Sequence, residues 1–287
     1  MSVRKMTLGD LGFALSLIRK EGWGHTRIDL ERMLSLTPDG SYVWESDGIS
    51  RGFITSLRYK NTAMIGHLIV SSDSRGRQVG KRLVNSLLED ADSAGIASVM
   101  LYATTDGDRL YSQFGFADSG HDLVAVGLLV GQEERRALKS KCTLVQEGDL
   151  AEVISQDRET FGDDRSGLIT RLYREFPEHC FKVERSGELV GFIFGRRTPI
   201  GFDIGPWICT PKNNEDAETL LHSVIHSFPC GGRADISPFL ENHDVRGITD
   251  KFHHYRKAAC VKLMIRGSPR YAGNRDRVFG VAGFEVG

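Results

Sequence analysis

Hydrophobic positions along the chain follow two periods, and the sequence of periods occurs twice. Short apolar runs at Ser41–Glu45, Gly52–Leu57 and Ala63–Val70, broken at Asp47-Gly48, predict three strands around a tight turn. The period then lengthens. Val79, Leu83, Val84, Leu87, Leu88 and Ala91 fall at helical spacing, and Gly95 supplies a stop. Further on, Cys180–Glu184, Val190–Phe194 and Phe202–Cys209 predict strands around Ser186-Gly187. A helix follows there too, carrying Ala217, Leu220, Leu221, Val224, Ile225 and Phe228.

The two passages share a register. Gly9-Asp10-Leu11 returns as Gly148-Asp149-Leu150, 139 positions on. The same offset carries Pro38 to Pro177, Gly52-Phe53-Ile54 to Gly191-Phe192-Ile193, and Gly66 to Gly205. Four matches in one register mark an internal duplication. Leu83-Val84 meets Leu220-Leu221 at an offset of 137, so the second strand-to-helix loop is shorter by two residues. The expected division is residues 1–130, a charged linker at 131–141 (GQEERRALKSK), and residues 142–287.

Composition narrows the function classes. With 287 residues, 40% hydrophobic and 26% charged, the chain has the material for two packed cores and is not disordered. The formal net charge is -1, with Lys and Arg scattered among acids, so no nucleic-acid partner is expected. Cys142, Cys180, Cys209, Cys230 and Cys260 form no C-x-x-C pair, which predicts reduced thiols, a cytoplasmic protein and no metal site. MSVRKMTLGD lacks the apolar core of a signal peptide, and no run approaches about 18 apolar residues. No membrane partner is expected; monomer and homodimer both stay open.

One loop carries charge chemistry. SRGRQVGKRLV, from Ser74 to Val84, follows the apolar strand end Leu68-Ile69-Val70 and opens an amphipathic helix. Free N–H groups at a helix start, with the positive end of the helix dipole, form an anion site. Gly76 and Gly80 let a phosphate approach the backbone, and Arg75, Arg77 and Lys81 add positive charge. Neither a Walker loop nor a dinucleotide fingerprint is present. A pyrophosphate suits it.

Arg75 to Gly80 resembles the R/Q-x-x-G-x-G/A coenzyme A loop of GNAT acetyltransferases, with Gln78 where the pattern has its first glycine. From Leu101, LYATTDGDRLYSQFGF resembles the superfamily segment in which a strand leads to a short helix and a Y-x-x-x-G-F pattern, here Tyr111 to Phe116. The A-T-x-x-G-x-x-L-Y run, EGWGH at 21–25 and VFGVAGFEVG at 278–287 are similar to a tandem branch with a YitH/HolE-type second half, beginning here at FGDDRS, Phe161–Ser166. The resemblance implies two α/β (α+β) mixed-sheet domains with helices on both faces, and acetyl-coenzyme A as cofactor. It implies a pantetheine arm between two splayed strands, with backbone groups from Leu68, Ile69 and Val70. Arg75, Gly76, Arg77, Gln78, Val79, Gly80 and Lys81 would hold the pyrophosphate. The activity implied is N-acetyl transfer to a primary amine, expected to be a small metabolite.

A lysine-like amine of pKa about 10.4 is neutral in only about one part in 2,500 at pH 7, so acetyl transfer needs a proton acceptor. On the resemblance, Tyr111 is the general acid for the leaving thiol. Leu110 and Phe114 are read as the apolar stripe of its helix, with Tyr111 beside them. His67, expected to titrate near neutrality, and His25, in the loop where GNAT proteins place acceptor-binding residues, are the candidate bases. Trp23 could stack on a substrate or pack in the core. Phe161, Asp164 and Arg165 are candidate substrate contacts, Arg165 as a carboxylate clamp.

The second half lacks the loop. TPKNNEDAE, Thr210 to Glu218, has no paired glycines and carries three acids, which would repel a pyrophosphate; Tyr111 maps near Asp250. That half is expected to shape the acceptor site or complete the fold. The alternatives are a non-catalytic acetyl-coenzyme A sensor and a protein lysine or N-terminal acetyltransferase.

Overall fold

A computed structural model describes residues 2–130, 142–199, 201–211, 213–228, 232–257, 260–269 and 273–287. The predicted linker, 131–141, and Cys230 lie outside these residues. The elements run β1 (Ser2–Lys5), α1 (Leu11–Lys20), α2 (Arg27–Leu36), β2 (Tyr42–Ser46), β3 (Ile49–Arg58), β4 (Thr62–Val70), α3 (Val79–Ser93), β5 (Ser98–Ala103), α4 (Thr105–Tyr111), β6 (Ala117–Leu123) and β7 (Val126–Val130). There follow β8 (Cys142–Leu144), α5 (Leu150–Phe161), α6 (Ser166–Glu175), β9 (Cys180–Arg185), β10 (Glu188–Thr198), β11 (Gly201–Cys209) and α7 (Asn214–His226). The series ends with β12 (Gly232–Ile236), α8 (His243–Thr249), β13 (His254–Lys257), β14 (Val261–Gly267) and β15 (Val278–Gly280).

Local chemistry explains the boundaries. Thr26 opens α2 in a capping box: the Thr26 N–H donates to Asp29 at 2.7 Å, and the Asp29 N–H donates back to the Thr26 hydroxyl at 3.3 Å. Asp47 (φ 55°) and Gly48 (φ 74°) form the two-residue turn between β2 and β3. Ser186 (φ 53°) and Gly187 (φ 82°) repeat it between β9 and β10. Positive φ at both turn residues matches the twist of the flanking strands. All six strands expected from apolar runs are present; β2 is shifted by one residue, and β10 runs six residues longer than expected.

The chain forms two compact units that interleave in sequence. The first comprises Met1–Ser119, Leu263–Tyr271 and Phe284–Val286; the second comprises Gly120–Lys262, Ala272–Gly283 and Gly287. The first sheet has the order β1-β2-β3-β4-β5-β14-β6 and the second β8-β9-β10-β11-β12-β7-β13. The sixth place in each sheet is therefore filled by a strand from the other repeat. Repeat matching in the sequence reports which positions are equivalent and not whose strand fills each place.

Each sheet has helices on both faces. In the first, Phe53 and Ile69 pack with Leu11, Ala14, Ile18 and Leu30 of α1 and α2. Ile54, next to Phe53, packs on the other face with Ile65 and with Val79, Leu83 and Leu87 of α3. The alternation is the two-residue period of a strand buried on both sides. In the second unit α7 supplies Leu220, Leu221, Val224 and Ile225 to a core with Ile193, Trp207 and Phe279. Cys142, Cys180, Cys209 and Cys260 are free thiols, and burial pushes the Cys209 thiol up to about 12.

Two irregularities recur. On β3 and β4, Ile54 pairs with Leu68 and Ser56 with Ile65, so Gly66 and His67 together face Thr55. On β10 and β11, Ile193 pairs with Trp207 and Gly195 with Ile204, so Gly205 and Pro206 face Phe194. Each is a two-for-one bulge. At the bulge the parallel pairing also ends. β4 pairs with β5 only as far as Ile65 and Leu101, and β11 with β12 only as far as Ile204 and Ile236.

Candidate active site

Past Ile65, β4 keeps its pairing to β3 through Val70 and has lost β5 on the other edge. Leu68, Ile69 and Val70 lie on this stretch, where backbone N–H and C=O groups on the β5 side are left for another partner. β4 then leads through the Ser71–Gln78 loop to α3. Gly76 has φ 76°, and Gln78, the residue before the helix, has φ 63° and ψ 14°. Gln78 thus adopts the left-handed conformation that favours glycine, and the glycine-type shape of the loop is kept without the glycine. No side chain caps α3, so its first amides, at Val79, Gly80 and Lys81, point outward unpaired by helix geometry. A methyl at Gly80 would have no atom closer than 3.9 Å.

The charges around the loop differ in availability. Arg75 donates from Nε to the Val70 carbonyl at 3.0 Å and pairs with Glu21. Arg77 and Lys81 are exposed and make no ion pair among the described residues. The matching helix start in the second unit, α7, carries Glu215 and Asp216 in its first turn. Asp216 accepts two hydrogen bonds from Arg185, at 2.7 and 3.2 Å.

Tyr111 ends α4 and is the residue that this helix buries. Leu110 and Phe114 are only half-buried, so the expected stripe is corrected: the helix turns its tyrosine inward. The ring packs edge-on against Phe116, centroids 5.8 Å apart, within the core beneath α3. Burial raises the phenol well above its usual pKa, so it holds its proton throughout the neutral range.

On the opposite face, the loop between α1 and α2 meets the β4 bulge. His25 and His67 rings stand edge-on with centroids 4.4 Å apart, and Trp23 lies 6.3 Å from His25 and 5.9 Å from His67. Trp23 is 41% exposed, which places it at the rim. His67 is buried, with Nδ1 3.0 Å from the Thr55 hydroxyl and Nε2 without a hydrogen-bond partner among the described residues. The expectation that it titrates near neutrality is overturned: burial first, then the nearby His25, drives its pKa down to about 3. His25 reaches Glu285, with Nε2 3.1 Å from Oε2. Glu285 and Thr55 were missed in sequence. The segment containing Glu285 was noticed, and nothing in its composition says where it lands.

The three candidates in the second repeat belong to the second unit. Arg165 is buried, donates two hydrogen bonds to Asp157 at 2.8 and 2.9 Å, and stacks over the Phe161 ring at 4.3 Å. The guanidinium expected to clamp a substrate carboxylate already holds an internal one. Asp164 accepts from the Ser166 N–H at 3.0 Å and from Arg158 at 2.7 Å. Among the described residues no helix is long and apolar enough to cross a membrane.

Comparison with known proteins decides the family of folds. Residues 13–116 match the profile described as Acetyltransferase (GNAT) family, and residues 153–280 match that of an Acetyltransferase (GNAT) domain. The chain carries two GNAT-fold domains in tandem. It is similar to a holothin acyltransferase of Pseudoalteromonas sp. (strain SANK 73390), 22% identical over 274 residues, covering 93% of this chain and 88% of the relative. Among solved structures it is similar to a candidate acetyltransferase from Pyrococcus horikoshii, with TM-score 0.82, 22% identity, and coverage of 100% and 95% of the two chains. A GCN5-related N-acetyltransferase from Sphaerobacter thermophilus follows at TM-score 0.68, 17% identity, and coverage of 93% and 95%. At these identities the solved structures speak for the fold. The two profile matches support acyltransferase activity with acetyl-coenzyme A as donor, as GNAT folds in general bind it.

Proposed function

We propose that the chain is an acetyl-coenzyme A-dependent N-acetyltransferase acting on a primary amine of a small metabolite, with its cofactor held by the first GNAT-fold unit alone. The observation that carries this reading is the course of β4. It leaves β5 after Ile65 and runs, open on that edge, towards the uncapped start of α3. Leu68, Ile69 and Val70 offer the pantetheine its backbone partners. The amides of Val79, Gly80 and Lys81, with Arg75, Gly76, Arg77 and Gln78, take the pyrophosphate. An acyl group seated between β4 and β5 meets both faces of the sheet: Tyr111 on one, and His25 and His67 on the other.

The residues then divide the work. His25, more exposed than His67 and beside Trp23, is the base; His67 stays neutral and supports its ring. Tyr111 donates its proton to the departing thiol. The desolvation that raises the phenol also raises the thiol pKa in the same gap, so the transfer stays feasible. In the second unit the acids of α7 occupy the place where phosphate would bind, and we assign that unit no coenzyme A. The placement in a tandem branch with a YitH/HolE-type second half draws support from the holothin acyltransferase match, which spans both halves.

Calorimetric titration with acetyl-coenzyme A tests this reading. Wild type is expected to bind one equivalent with micromolar affinity, and Gly80→Glu to lose at least 100-fold. A Cβ at Gly80 meets only ordinary van der Waals contacts, so the variant is expected to fold while placing a carboxylate among the phosphate-binding amides. Two equivalents would refute the one-site assignment, and no binding to wild type would end the transferase reading. Binding without turnover on any amine would favour a sensor.

A further inference from the structure

The first unit contains a buried carboxylate contributed from far along the chain. Glu285 is 3% exposed, and its Oε2 lies 3.1 Å from His25 Nε2, a side chain that is itself 17% exposed. Three features fix the segment around it. The Tyr59 hydroxyl donates to the Val286 carbonyl. Phe284 packs edge-on against Tyr102 with ring centroids 5.7 Å apart. Gly66, in the β4 bulge, leaves the space into which Glu285 fits: a methyl there would come within 2.8 Å of Glu285 Cβ and 2.8 Å of the Thr55 hydroxyl. The bulge therefore does two things at once. It turns His67 under His25, and through Gly66 it admits Glu285 beside them.

Other titratable groups among the described residues also face this cluster. On α2, Asp29 is buried and holds Arg32 at 3.0 Å, while its own carboxylate also serves the α2 cap. On β4, burial lowers the His67 pKa to about 3, so its imidazole is neutral at pH 7. Glu285 is the carboxylate whose oxygen lies against His25 Nε2.

We propose that Glu285 is a positioning residue for proton transfer, its carboxylate orienting His25 and stabilising the imidazolium formed when His25 takes a proton from the acceptor ammonium. This rests on the transferase reading above. The step balances as follows. R–NH3+ gives one proton to neutral His25, and the freed amine attacks the thioester carbonyl. A C–N bond forms and the C–S bond breaks as Tyr111 protonates the sulfur. The second nitrogen proton restores the Tyr111 phenol, and His25 releases its proton to solvent. A carboxylate behind an imidazole both selects its orientation and favours the charged form.

The test uses the full chain with Glu285→Gln, Glu285→Asp and Gly66→Ala. The His25 imidazole is titrated by NMR, its signal assigned through His25→Gln, with no acceptor present. Glu285→Gln is expected to lower the His25 pKa by about one unit or more, as loss of an opposite charge in contact requires. With acetyl-coenzyme A and phenethylamine, or the fastest amine of a panel, kcat at pH 7 should fall about 100-fold while KM for acetyl-coenzyme A is unchanged. The loss should shrink as pH rises, and Glu285→Asp should recover part of it. Gly66→Ala should reproduce the loss without touching the carboxylate. An unmoved His25 titration in a folded Glu285→Gln would overturn the proposal, as would a moved titration with unchanged kcat. If wild type acetylates no amine, the transferase reading fails first; the titration, which needs no acceptor, still decides whether Glu285 governs His25.

Discussion

Two places in this molecule share a plan and end differently. In the first unit β4 bulges at Gly66 and His67, and parallel pairing to β5 stops there. In the second, β11 bulges at Gly205 and Pro206, and pairing to β12 stops there. The first gap keeps its edge free among the described residues. The second does not. β15 pairs with β11 at Trp207 and Ile208, where β10 already holds one edge, so β15 lies along the other. A methyl at Gly280 would sit 3.1 Å from Ile236 and 3.6 Å from the Ile204 carbonyl, between the last paired residues of β12 and β11. The second unit thus satisfies with its own strand the backbone groups that the first leaves open among the described residues. The acids at the start of α7 act in the same direction. On the one-site reading proposed above, the second unit would lose the cofactor by filling its slot as well as by losing its contacts.

The comparison is broken hardest at Tyr111. Its counterpart helix, α8, ends at Thr249 with Asp250 as its cap, so the second unit has no phenol there. Tyr111→Phe removes one oxygen from a core position. If Tyr111 is the acid, kcat should fall about 100-fold, or about 2.7 kcal/mol of transition-state stabilisation, with acetyl-coenzyme A affinity retained. Denaturant unfolding should change little, because the ring packing is kept. An unchanged kcat would reduce Tyr111 to a packed aromatic and leave the two units differing in binding alone.

How far the sequence carried this picture depends on the kind of contact. The strands, the turns at Asp47-Gly48 and Ser186-Gly187, and the helix after Gln78 were legible because each rests on local periodicity or on a residue suited to positive φ. The loop before α3, with its positive φ at Gly76 and Gln78, was legible in position for the same reason. The strand exchange was not, since β7 and β14 occupy equivalent places in the two repeats and no local rule says which copy fills which sheet. Glu285 was not legible either, because 260 positions separate it from His25, the ring it meets. Arg165 misled in the opposite sense: its charge looked available, and only the fold supplies Asp157 eight residues before it.

A smaller effect follows from His67, whose counterpart at the second bulge is Pro206 and cannot titrate. Its pKa in the folded chain, about 3, lies below the reference value of 6.5. Between these values the unfolded chain binds more protons than the folded one, so stability rises with pH there. The contribution is complete above about pH 6.5 and is lost progressively as pH falls toward 3. At pH 5 this group alone should lower stability by about 2 kcal/mol relative to pH 7. Urea unfolding of wild type and His67→Gln at the two pH values checks it: the difference between the proteins should narrow as pH falls. A constant difference would mean that water reaches the imidazole.

The smallest effect sharpens the comparison at the two helix starts. Gln78 bears φ 63° with an exposed side chain, a conformation that disfavours any residue with a Cβ by about 1 kcal/mol. Gln78→Gly should therefore raise the stability of the chain by up to about 1 kcal/mol, read as a shift in the denaturant midpoint at constant slope. If the loop's shape rather than its side chain receives the pyrophosphate, acetyl-coenzyme A affinity should stay within about twofold. A large loss of affinity with the gain in stability would show instead that the glutamine amide touches the cofactor. The strain at this position would then be maintained for binding, and the first unit would differ from the second by a contact that its family pattern lacks.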